Sequence, residues 1–251
     1  MTIVKFEDYD VNKLDFEHLP PASKKKSSQT ILFPIYDGER SPCIQMPKIE
    51  LSSYGVPTRC EFFKEDYQRH FIKVPLDSSI PEVSKLMEWI RQFDERMAKK
   101  DIKERAFSKK NPKCSYQTFL RIPMTEDGKP KPDRLPYIKI KLMSKYPSNV
   151  ICTDIVTQSP DGCRQLVPDI TTVDDVADFV RFRSKIRCII MPSKLWIIPP
   201  TGGDAMYGVS FKLVKVLVEL PPSKVVRVES IIDDFIESDH ESEQVEIETS
   251  T

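Results

Sequence analysis

Twenty-one prolines stand against seven glycines in this chain, and that ratio sets the first limit on its fold. Proline lacks a backbone N–H and clashes with the preceding helical turn, so a chain rich in it is cut into short elements with stiff connections. Scarce glycine argues equally against a glycine-rich phosphate cradle: no GxxxxGK[ST] or GxGxxG is present, and Gly202-Gly203 is an isolated pair suited to a turn. What lies between the prolines reads mainly as strand. Segments 31–35, 42–51, 70–74, 118–122, 137–143, 150–156, 186–191, 194–198 and 209–220 are short, rich in Ile, Val and aromatics, and bounded by Pro, Gly or Asp. Thr201-Gly202-Gly203-Asp204 supplies a turn before the last of them.

Two helices interrupt this pattern. From Pro81, which suits a first helical position, Val83, Leu86, Met87, Ile90, Phe93 and Met97 form one apolar stripe. A second helix starts near Thr172, whose hydroxyl can cap it, with Asp174 and Asp175 in the first turn and Val173, Val176, Ala177 and Val180 on one face. Strands do not alternate regularly with helices, so the expected fold is α+β and mostly β, an antiparallel open or closed barrel with inserted helices rather than a doubly wound sheet. The chain divides into an arm and low-complexity linker over 1–30, a body over 31–228 and an acidic tail over 229–251. Lys24 to Lys26 in the linker read as solvated or as touching a phosphate backbone.

The charge is unevenly placed. Lys and Arg number 38 and Asp and Glu 38, yet nine of the acids follow Arg227, the last basic residue, so the remainder carries an excess of nine positive charges. Residues 97–145 alone hold 14 basic side chains against Asp101, Glu104, Glu126, Asp127 and Asp133. A basic surface tethered to its own acidic competitor points to a polyanion partner, nucleic acid foremost. The alternative is a solvated body with a solubilising end. Against it, Ile231, Ile232, Phe235 and Ile236 embed apolar groups among the tail's acids, as in acidic segments that dock on basic grooves or partner proteins.

Within the basic segment, period-two alternation puts Tyr137, Lys139 and Lys141 on one face of a strand and Ile138, Ile140 and Leu142 on the other. An aromatic plane beside two ammonium groups is what single-stranded nucleic acid requires, since bases stack on rings while lysines follow phosphates. The stretch before it interleaves Phe107, Tyr116 and Phe119 with Lys109, Lys110, Lys113 and Arg121, and reads as a mobile loop leaving the first helix; Lys145 follows the strand. These eleven residues are the candidate nucleic-acid contacts. A solvated face with a lone tyrosine is the competing reading.

Catalysis finds little support. The six cysteines are dispersed with no CxxC pair, and His18, His70 and His240 give them no evident zinc partner. Scattered thiols fit a reduced intracellular compartment, with most cysteines filling the core. A metal-dependent nuclease would need carboxylates converging from separate strands, for which Asp154 and Asp169 are the residues to test. No run approaches the roughly 18 apolar residues of a membrane span, and the N-terminal residues show no secretory signal.

The order of these features resembles a known family. The helix ending near Phe93-Asp94-Glu95, the Ile138 to Leu142 strand with its lysine alternation, the Thr172 helix running into Ser184-Lys-Ile-Arg-Cys-Ile-Ile190, Trp196, and Tyr207-Gly-Val-Ser-Phe-Lys-Leu-Val-Lys-Val-Leu-Val218 resemble the single-stranded DNA-binding proteins of large nucleocytoplasmic DNA viruses, African swine fever virus type, over roughly residues 40 to 220. The resemblance implies an OB-like barrel with inserted helices. It further implies single-stranded DNA as partner, viral replication sites in the host cytoplasm or nucleus, and no catalytic activity, cofactor or metal. Phage replication proteins of similar architecture carry acidic C-terminal tails that compete with DNA and recruit replication proteins, which 229–251 is similar to. No membrane association is expected and a homo-oligomer is compatible. The alternative is a structural or assembly protein of a virus particle, its tail bound to a basic neighbour.

Overall fold

A computed structural model describes residues 2–17, 31–106, 114–198 and 205–219. Residues 18–30 of the linker, the residues Phe107, Lys109, Lys110 and Lys113, the 201–204 turn and the 229–251 tail lie outside the described residues. The described residues all belong to one compact unit.

In chain order the strands and helices are β1 (Ile3–Lys5), β2 (Leu14–Glu17), β3 (Ile31–Tyr36), β4 (Glu39–Arg40), β5 (Cys43–Glu50), β6 (Phe71–Pro75), α1 (Pro81–Ala98), α2 (Lys100–Ala106), β7 (Cys114–Tyr116), β8 (Leu120–Arg121), β9 (Tyr137–Leu142), β10 (Asp154–Gln158), β11 (Arg164–Leu166), α3 (Val173–Phe179), β12 (Lys185–Ile198) and β13 (Ala205–Glu219). Their spine is the antiparallel ladder of β12 on β13, running from Lys185↔Glu219 to Ile198↔Met206. Pro192 does not divide β12 into two strands, as expected from segments 186–191 and 194–198; register shifts at Ile189/Ile190 and Pro192/Lys194 absorb it within one bent strand.

The other edge of β13 takes three strands in succession, all parallel: β7 at Ala205–Tyr207, β9 at Lys212–Leu213 and β10 at Lys215–Glu219. On the far side, β12 is bordered by β5 through Ile190 and by β3 at Leu195–Trp196. β6 and β8 pair with β9, and β1 runs parallel to β5. The sheet is therefore mixed, which corrects the antiparallel expectation. Strand segments read one at a time carry no direction, and the long connections that return β7, β9 and β10 to β13 are the kind that permit parallel pairing. No ladder joins β5 to β6 among the described residues, so the curl β5-β12-β13-β9-β6 stays open rather than closing as a barrel.

The core lies between this curl and α1. Helix α1 buries the expected stripe together with Trp89 and Asp94. Thr172 caps α3 reciprocally: its Oγ1 accepts from the Asp175 N–H at 3.1 Å, and the Asp175 carboxylate accepts from the Thr172 N–H at 2.8 Å. Two readings change. Residues 2–17 are not a detached arm, because Phe6, Tyr9, Val11, Leu14 and Phe16 are buried and the Trp89 indole N–H donates to the Tyr9 carbonyl at 3.1 Å. The stretch after α1 does not begin as a loop, since α2 turns back with Ile102 buried and Arg96 paired to Asp101 at 2.9 Å. Of the cysteines, Cys43 and Cys188 are buried, whereas Cys60 and Cys163 are exposed.

Asp94 ties α1 to the sheet. Its carboxylate accepts from the Phe119 N–H at 2.7 Å, the Leu120 N–H at 3.0 Å and the Tyr116 hydroxyl at 2.8 Å. Burial pushes the carboxyl above its ordinary value, while these donors and Arg121 pull it back. Removing the carboxylate strands two buried N–H groups at about 1–3 kcal/mol each. Asp94→Ala is accordingly expected to lose about 2–4 kcal/mol in urea unfolding, against under 1 kcal/mol for the exposed Glu88→Ala.

Candidate nucleic-acid interface

Strand β9 presents the alternation expected of it: Ile138, Ile140 and Leu142 are buried, Lys139 and Lys141 exposed and Tyr137 half-buried. Register then brings further cations beside them. Lys139 stands directly opposite Lys73 of β6, and Lys141 beside Lys212 of β13. Like charges on neighbouring strands destabilise a sheet, and β9 carries one such pair along each of two edges. Arg121 of β8 is opposite Tyr137. Lys194, from β12, lies close enough to depress Lys141.

Of these side chains, Arg121, Tyr137, Lys139, Lys141 and Lys194 open onto one trough of about 580 Å³. Arg121, Lys139, Lys141 and Lys194 form its basic lining, Tyr137, Trp196, Phe119 and Phe211 its aromatic part, with Gln117, Ser210, Val209 and Ile198 completing it. Among the described residues, no carboxylate, histidine or thiol lines it. The cations feel one another. Burial, and then Lys194 and Lys212, pull Lys141 below the ordinary lysine value; burial, and then Lys141, Lys73 and Arg121, do the same to Lys139. A polyanion laid in the trough would relieve that repulsion. Asp94, the nearby acid, is engaged by two backbone amides and a tyrosine hydroxyl and is buried beneath.

The aromatic groups are held by separate devices. Phe119 and Phe211 stack at 4.2 Å with planes 23° apart and form the floor, both almost wholly buried. Tyr137 lies 4.9 Å from the ring of Tyr54, whose hydroxyl donates to the Leu135 carbonyl at 3.0 Å, and the Lys73 ammonium sits 5.1 Å from the Tyr137 ring. Lys139 Nζ is 3.8 Å from the centre of the Phe71 ring, a cation–π contact. Trp196 is in register with Gly208, and a Cβ on Gly208 would meet the indole at 2.5 Å. The glycine is thus needed so that the ring can lie against the β13 backbone.

The candidate contacts therefore divide. Arg121, Tyr137, Lys139 and Lys141 converge on the trough. Phe119 lines it only as floor. Tyr116, offered as a base-stacking ring, instead packs against Tyr207 at 5.3 Å and gives its hydroxyl to Asp94; a tyrosine among lysines does not reveal in sequence which acceptor its hydroxyl will reach. Lys145 is exposed beyond β9 and outside the trough lining. Lys73, Lys194, Trp196 and Lys212 were not among the sequence candidates. One signal was available: Lys194, Trp196 and Ile198 alternate with buried Leu195 and Ile197, the same period-two arrangement as β9. The adjacency of Lys73 and Lys212 follows only from register.

The nuclease alternative gains nothing here. Asp154 pairs with Lys215 at 3.3 Å, Asp169 has a left-handed backbone at φ 57°, and no group of three His, Cys, Asp or Glu among the described residues is placed to hold a metal. No helix among them is long and apolar enough to cross a membrane.

No family model matches the chain. It is 25% identical over 231 residues to the uncharacterized protein R505 of Acanthamoeba polyphaga mimivirus, covering 80% of this chain and 56% of that protein, so it spans little more than half the relative's length. Among solved structures, it is similar to gp2.5, a single-stranded DNA binding protein encoded by bacteriophage T7, at 14% identity and TM-score 0.35, covering 79% of this chain and 97% of that one. The single-stranded DNA-binding protein from bacteriophage Enc34 matches at 14% identity and TM-score 0.35, covering 86% and 98%. Those scores are too low to equate the folds.

Gly208→Ala tests how the trough is built. The added methyl must displace the indole, so Trp196 fluorescence should shift to the red, most clearly in a Trp89→Phe background where Trp196 is the sole tryptophan. An unchanged spectrum would mean that the ring does not rest on β13.

Proposed function

We propose that this protein is a non-catalytic, sequence-tolerant single-stranded DNA-binding protein of viral DNA replication, repair or recombination. In this reading the β6-β9-β13-β12 surface acts as the binding face of an open, OB-like curled sheet. The observation that carries it is the convergence of Lys73, Arg121, Lys139, Lys141, Lys194 and Lys212 on or beside a trough with aromatic walls and, among the described residues, no lining carboxylate. An unpaired polyanion answers both features: phosphates neutralise the clustered cations, and unstacked bases find Trp196 and Tyr137. A duplex keeps its bases stacked inside and could use only the charge. The acidic 229–251 segment, with its embedded Ile231, Ile232, Phe235 and Ile236, competes for the same cations or recruits replication proteins.

A salt-titrated oligo(dT) binding curve tests this directly. Each phosphate contact to a single strand contributes roughly 0.7 to the slope of log K against log salt, so Lys139→Ala with Lys141→Ala should lower the slope by about 1.4. Trp196→Ala should weaken binding by about 1–3 kcal/mol with little change in slope. A chain ending at residue 228 should bind more tightly at low salt. The depressed pKa values of Lys139 and Lys141 set the pH dependence: both lose their protons at lower pH than an ordinary lysine, so affinity should fall as pH rises towards that value, with protons taken up on binding there. Equal affinity with and without the tail would end the competition mechanism. Absence of oligo(dT) binding by either chain would end the function.

A further inference from the structure

We infer that the single strand does not stop at the trough but continues across β12 into a second groove, which takes a phosphate and a stacked base of the same strand. The inference rests on the function proposed above. The groove, of about 380 Å³, adjoins the trough through Lys194, which lines both. It opens where the outer edge of β12 changes neighbour: β5 pairs with it as far as Ile190 and β3 takes over at Leu195, leaving Met191, Pro192 and Ser193 at the gap. Pro192 has no N–H, so an open edge here carries one donor fewer to satisfy.

The lining repeats the chemistry of the trough. Arg40 and Lys212 join Lys194 around it, Phe33 is 36% exposed, and no acidic side chain lines it among the described residues. Leu195↔Leu32 and Trp196↔Ile31 fix the register of β12 on β3, and one further step sets Phe33 beside Lys194. The two aromatic groups, Trp196 in the trough and Phe33 in the groove, thus flank one lysine along a path where the sheet turns from one strand pair to the next. Arg40 is delivered by the β3–β4 hairpin, whose Asp37 and Gly38 both have positive φ, 53° and 79°. Charge of one sign and a partly exposed ring fit a continuing single strand, and the total path suits an oligonucleotide longer than the trough alone would hold.

The test uses the full chain and fluorescein-labelled oligo(dT) of about 4 and about 12 nucleotides, lengths within the range single-strand sites span. Phe33→Ala with Arg40→Glu is expected to weaken the longer oligonucleotide about tenfold or more and to leave the shorter within twofold, while Arg40→Lys keeps most of the affinity for both. Both positions are at the surface, and equal thermal unfolding midpoints would establish that the variants are folded. If the double variant binds the two lengths as the parent does, or weakens both equally, the groove is not a separate subsite and the inference is overturned. If the variant leaves oligonucleotide binding intact but abolishes competition by a peptide of residues 229–251, the occupant is the acidic segment and the inference is equally overturned. If the parent binds neither length, the function proposed for the trough itself fails, an outcome distinct from these.

Discussion

The shared use of β13 is the constraint on which the rest of this structure depends. A strand of fifteen residues is long enough to hold β12 along one edge and to receive β7, β9 and β10 in turn along the other. Three of those strands arrive with cargo. The β7 end brings Gln117, whose N–H donates to the Tyr207 carbonyl at 2.8 Å; β9 brings Lys139 and Lys141; β12 brings Lys194 and Trp196 from the opposite side. Because side chains alternate along every strand, fixing the register of β9 and β12 on β13 fixes which face their lysines occupy. A slip of one residue in β9 would bury Lys139 and Lys141 and expose Ile138, Ile140 and Leu142.

That arrangement is electrostatically unfavourable in the free protein. Lysines whose folded pKa lies below the unfolded value destabilise the fold while charged, and the penalty fades only as pH rises through the folded pKa. The core offsets it. Asp94 is the telling residue, because its carboxylate is close enough to be felt by Arg121 and yet does not line the trough. It is instead drawn beneath the surface by two amides and a tyrosine hydroxyl, where it organises the backbone and leaves the cations above it facing solvent. Elsewhere the chain pairs its charges freely, as Arg69 does with Asp66 and Asp174.

How much of this was legible in the sequence depended on whether a feature is local. The α1 stripe, the Thr172 cap and the face of β9 are set by residues within a turn or two of one another, and periodicity reveals them. The pairing of Lys139 with Lys73, or of Lys141 with Lys212, is a property of register between segments tens of residues apart. Tyr116 and Phe119 fell inside the basic stretch but fold inward, since Asp94, more than twenty residues earlier, captures that segment. The first seventeen residues concealed their part in the core because charged residues separate Phe6, Tyr9, Val11, Leu14 and Phe16, which bury only when α1 and β3 are in place.

Gly208 links the local and the distant. An isolated glycine within a strand indicates either a weakness or a close approach, and sequence alone does not distinguish them. Here the approach is by an indole from the partner strand, and the glycine lets that ring lie low enough to serve as wall instead of plug. The same geometry explains why Trp196 can be half-buried without filling the core: its underside rests on backbone and its edge faces the trough. An aromatic ring supported on one side by main chain and bordered by ammonium groups is immobilised before any ligand arrives. In the proposed binding mode, a base stacking there would order itself and leave the protein largely as it was, which is how a sequence-tolerant surface would keep its affinity for each base in turn.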